Sequence, residues 1–97
     1  MLASDAPIKE VTQKRQEQAM FVYGEEGGLL TRGVARMAED GQSVLFIKVE
    51  HPGALVHYFF LSRRRRARVE TESDAMSGKL VTWMSANSRN WCLNIVA

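Results

Sequence analysis

VARMAEDGQSVLFIKV, residues Val34–Val49, sets the pair Asp40-Gly41 between two segments that read as extended. An Asp-Gly pair suits a two-residue turn with positive φ, whose backbone matches the right-handed twist of the strands it joins. The same region can be read as a helix over Leu29–Glu39, with Leu30, Val34, Met37 and Ala38 on one side. Gly33 in its middle would cost that helix about 1 kcal/mol relative to alanine. The hairpin is the preferred reading, and it makes the chain a sheet protein.

Working outward, His51-Pro52-Gly53 reads as a second tight turn and Ala54–Ser62 as a returning strand. The apolar residues of 43–50 and 54–62 are consecutive rather than alternating. Leu45, Ile47 and Val49 point to one face and Val44 and Phe46 to the other, which predicts central strands covered on both sides. Upstream, residues 1–5 read as a frayed terminus. Asp5 ahead of Pro7 is a helix-starting pair, and Ile8, Val11, Arg15, Ala19 and Val22 follow a three/four spacing. The spacing predicts a helix over Pro7–Met20 as a cover for the sheet. Phe21-Val22-Tyr23 can instead begin a strand, and Gly24-Glu25-Glu26-Gly27-Gly28 ends either element.

Downstream, Thr71–Asp74 and Ser77-Gly78 bracket a polar loop. Lys79–Ser85 fits a strand with Val81 and Trp83 on one face. It equally fits a helix, since Met76, Leu80, Trp83 and Met84 have helical spacing, and short apolar runs do not separate the two. Ala86–Asn90 is turn chemistry, and Trp91–Val96 reads as a last strand. The assembled expectation is an α+β fold: an N-terminal helix followed by a curled antiparallel β-meander of four to six strands. It is a small barrel-like or sheet-plus-helix unit forming one domain over residues 1–97.

Composition sets outer limits. The chain has 97 residues, 45% apolar and 25% charged, with two prolines and one cysteine. That supports a single core and excludes collagen-like, mucin-like and disulfide-framework classes. Cys92 alone cannot form an intrachain disulfide, which points to a reducing, cytoplasmic setting. The opening MLASDAPIKE does not read as a secretory signal, and no apolar run approaches the roughly 20 residues needed to cross a bilayer. No membrane partner is expected.

Nothing in the sequence calls for catalysis. Cys92 with His51 or His57 would be the natural nucleophile and base, but Cys92 lies between Trp91 and Leu93, where an inert packed thiol is commoner. The acid pairs Glu25/Glu26 and Glu70/Glu72 read as solvated. Gly24–Gly28 lacks the ending of a phosphate loop, and its two acids would repel an anion. Two histidines six apart, with no third ligand, make no metal site. The expectation is a protein that is not an enzyme, with no cofactor and no metal.

One feature rises above this background. The net charge is only +2, yet residues 51–97 carry seven Lys/Arg against three acids, whereas residues 1–50 carry six against eight. Five of those seven are Arg63, Arg64, Arg65, Arg66 and Arg68. Clustered guanidinium groups pair with phosphates or carboxylates and create a local positive field. Tyr58, Phe59 and Phe60 precede the run, and Trp83 and Trp91 can lie on neighbouring strands, an arrangement that suits base stacking. The first expectation is a small module binding nucleic acid, single-stranded by preference, through Arg63, Arg64, Arg65, Arg66, Arg68, Tyr58, Lys79 and Arg89. The second is a protein-binding adaptor, an oligomer subunit (a homo-oligomer included) or a small inhibitor of the kind mobile elements encode. In that case the arginines meet an acidic protein surface.

Overall fold

The computed structural model describes residues 17–62, 64–73, 76–86 and 91–96. Six strands, β1 (Gln18–Tyr23), β2 (Leu29–Met37), β3 (Ser43–Val49), β4 (Ala67–Thr71), β5 (Leu80–Ala86) and β6 (Trp91–Ile95), form a closed antiparallel barrel in the order β1-β2-β3-β6-β5-β4. The single helix among the described residues, α1 (Pro52–Leu61), lies mid-chain between β3 and β4. Closure leaves no sheet edge to protect.

The strand pattern explains the closure. Met20, Val22, Ala35, Val44, Phe46, Val69, Val81 and Leu93 are all buried and fill the barrel, while their neighbours along each strand are more exposed. β3 and β4 stand opposite each other in the ring, so the connection between them must cross one mouth. α1 makes that crossing. Leu55, Tyr58 and Phe59, spaced three and four apart, turn inward and join the core.

The expected α+β fold with an N-terminal helix is therefore corrected to a closed barrel with one mid-chain helix. Gln18–Met20, the end of the expected helix, belongs to β1 and Glu17 is a bend; residues 7–16 lie outside the described residues. The three/four spacing ran on into a segment whose real period is two, with Met20 and Val22 inward. The expected strand 54–62 is α1 instead. Pro52 is not a turn residue but stands in the first helical turn, where its missing N–H costs no hydrogen bond. Between 71 and 86, β5 is the strand alternative, and the loop before it tucks Met76 into the core. β4 had no counterpart in the sequence reading.

The hairpin is present, with a longer turn than expected. β2 ends at Met37 and β3 starts at Ser43; the Gly41 N–H donates to the Ala38 carbonyl, and the Ala38 N–H to the Ser43 carbonyl. A two-residue turn of the expected type needs positive φ at both Asp40 and Gly41, but only Gly41 has it, at 72°. The Asp40 carboxylate accepts from the Gln42 N–H instead.

Gly33 carries a different constraint. A Cβ there would lie 1.9 Å from the Lys48 carbonyl oxygen, beside the irregularity between Val34 and Ala35 where β2 bends over β3. Gly33→Ala should therefore destabilise the barrel by about 1–3 kcal/mol, read as a lower urea midpoint. An unchanged midpoint would show that β2 and β3 do not approach this closely.

Candidate binding surface at one mouth of the barrel

The mouth crossed by α1 gathers the Gly24–Gly28 turn between β1 and β2, the arginine segment entering β4, and the tryptophans of β5 and β6. Tyr58 ties these together. Its hydroxyl donates to the Arg66 carbonyl at 2.6 Å and accepts from the Glu25 N–H at 2.9 Å. The Arg66 N–H in turn reaches a Glu25 carboxylate oxygen at 3.4 Å. Gly24 packs close to the Tyr58 ring, where an added Cβ would sit 3.0 Å from the ring edge. The turn, the helix and the arginine segment are thus one locked unit.

The arginines divide by environment. The Arg65 guanidinium lies 4.2 Å from the Tyr58 ring centroid and donates to the Tyr58 carbonyl, a charge at the carbonyl end of the helix. Arg68 is ion-paired with Glu70 at 2.6 Å and sits over the Tyr23 ring at 4.9 Å. Arg64 and Arg66 are exposed, and among the described residues neither is in an ion pair. Arg63 and Arg89 lie outside the described residues. Lys79 belongs to the connection between β4 and β5, at the other end of the barrel. Tyr58 is only 6% exposed and has Arg65 against its ring, so it offers no open face to a base.

The other face of α1 is apolar and open. Phe60 is 85% exposed and Leu61 64%, and Val56 is also exposed. Val56, Phe59, Phe60 and Trp83 line a cleft of about 160 Å³. Below it Phe59, Trp83 and Trp91 form a chain of rings, with centroids 6.3 and 5.3 Å apart. The sequence reading passed over Val56 and Leu61 because it placed them in a strand covered on both faces, and it took Phe60 only with Tyr58 and Phe59 as aromatics suited to base stacking. Helical spacing would have found them, since residues 60 and 61 fall outside the face formed by 55, 58 and 59, and 56 falls at its border.

The remaining chemistry is sparse. Cys92 is half-buried with its sulfur 3.5 Å from the Met84 sulfur, and His57 is exposed on α1 rather than in a strand. Among the described residues no group of three or more His, Cys, Asp or Glu could hold a metal ion, and no helix is long and apolar enough to cross a membrane. No protein-family model, curated protein or solved structure matches the chain.

Tyr58→Phe isolates the locking hydrogen bonds while keeping the ring. It should cost about 1–2 kcal/mol and speed hydrogen exchange at the Glu25 and Arg66 amides. Unchanged exchange at both would mean that the turn and the arginine segment are held without Tyr58.

Proposed function

We propose that this chain is a non-enzymatic protein-binding module whose docking surface is the open face of α1 together with Arg64 and Arg66. The observation that carries the reading is the exposure of Phe60 and Leu61 at the end of a helix followed closely by Arg64 and Arg66, neither in an ion pair among the described residues. Contiguous exposed apolar groups mark interaction sites. Aromatic residues and arginine are the types enriched in interface centres, where they supply most of the binding energy.

Nucleic acid is the second reading, favoured by the same unpaired Arg64 and Arg66. It has less support from the aromatics. Phe60 is the one open ring of this surface among the described residues: Tyr58 is covered, Trp83 and Trp91 pack on their neighbours, and Leu61 and Val56 have no ring to stack a base.

Tagged wild type and a Phe60→Ser/Leu61→Ser variant, each confirmed folded by circular dichroism, are used to capture partners from nuclease-treated extract of the native cell. The reading predicts a protein held by the wild type and lost from the variant. Capture that vanishes with nuclease would overturn it in favour of nucleic acid, provided the purified protein also binds a single strand tightly at about 50 mM salt.

A further inference from the structure

We infer that the occupant of this surface is an acidic peptide segment bearing one bulky apolar side chain, which enters the cleft between α1 and Trp83 while its carboxylates meet Arg64 and Arg66. The inference rests on the protein-binding reading and adds the chemistry of the partner. Three observations converge on it.

The cleft volume of about 160 Å³ suits a single leucine-, methionine- or phenylalanine-sized group rather than a whole helix face. Its lining of Val56, Phe59, Phe60 and Trp83 offers apolar walls and ring faces, which select an apolar anchor. The floor is firm, because Phe59 is 2% exposed and wedged between Tyr58 and Trp83, so the cleft is preformed.

Charge complementarity fixes the flanks. Arg64 stands four positions after Phe60, and Arg66 two further on, with its backbone pinned by Tyr58 and Glu25. Arg65 and Arg68 are already engaged, so two guanidinium groups of the described run remain to meet carboxylates. A concave slot followed four and six positions after Phe60 by two exposed arginines favours an extended anionic chain over a flat lipid surface, which would gain nothing from the slot. Arginine pairs bidentately with carboxylates, which adds direction to the attraction.

The test uses a fluorescein-labelled ten-residue peptide with a Leu-Phe pair between two blocks of four glutamates. Comparison peptides replace Leu-Phe with Gly-Ser or the glutamates with lysines. Binding is followed by anisotropy and by the amide and indole shifts of the ¹⁵N-labelled protein. The inference predicts that the anchored acidic peptide binds and shifts the Trp83 indole. Affinity should fall at least about tenfold on loss of the anchor, and by a similar factor in Arg64→Glu/Arg66→Glu. Val56→Ser, an exposed change that adds no charge and should leave the fold intact, should weaken the anchored peptide and leave the Gly-Ser peptide unaffected.

Equal affinity for the anchored and Gly-Ser peptides, or for the lysine peptide, would overturn the inference. Self-association by light scattering that disappears in Phe60→Ser would also overturn it, assigning the face to a second copy. Uptake by phosphatidylserine vesicles at the expense of the peptide would assign it to a lipid surface. A native protein partner captured through Phe60 and Leu61 that competes with none of the peptides would refute the acidic-anchor chemistry while leaving the protein-binding reading in place.

Discussion

Phe59 is the contact on which the mouth of the barrel depends. Its ring meets Tyr58 edge-on with centroids 5.1 Å apart and Trp83 at 6.3 Å, so one side chain joins helix, strand and core. A six-stranded barrel whose third and fourth strands stand opposite each other has a mouth that the chain must cross. An unplugged mouth would expose Phe46, Leu93 and the other interior groups to water. Burying large aromatic side chains is the strongest means of sealing it. Leu55, Tyr58 and Phe59 do so at helical spacing, and that spacing fixes which residues of the same helix must face outward.

The surface follows from this seal. With 55, 58 and 59 inward, Val56, His57, Phe60 and Leu61 have nowhere to go but solvent. The helix ends at Ser62, and the chain must then enter β4 beside β1, which brings the arginines past the Gly24–Gly28 turn. Tyr58 holds them there through the Arg66 carbonyl, and Arg65 is consumed by the helix end and the Tyr58 ring. What projects from this arrangement is a small combined patch, apolar beside cationic, fixed by groups that belong to the fold.

How much of this the sequence disclosed depends on the period of each segment. The β2–β3 pairing and β6 were legible because turn residues bound them: Asp40-Gly41 on one side, Asn87–Asn90 on the other. α1 was not, because Ala54–Leu61 is apolar almost throughout and a run without polar punctuation has no period to read. Pro52 was the better signal, since proline fits a first helical turn as well as a loop. β1 was masked by the helical spacing running into it, and β4 by its charges: Arg68 and Glu70 alternate with Ala67 and Val69, a strand pattern hidden in what looks like a charge run. The basic character of the site was visible in the letters. The engagement of Arg65 and Arg68 was not, since it depends on Tyr58, Tyr23 and Glu70 brought close by folding. The consecutive letters Tyr58-Phe59-Phe60 likewise conceal two buried rings followed by an exposed one.

Adjacent phenylalanines with opposite fates give the most direct test of the central claim, that α1 seals the barrel with one face and leaves the other open. Urea unfolding of Phe59→Ala and Phe60→Ala, measured on the isolated protein, compares them under one set of conditions. The account predicts a loss of about 3–5 kcal/mol for Phe59→Ala and a change within about 0.5 kcal/mol for Phe60→Ala. Comparable losses at the two positions would contradict it, because Phe60 would then belong to the core and the open face of the helix would not exist.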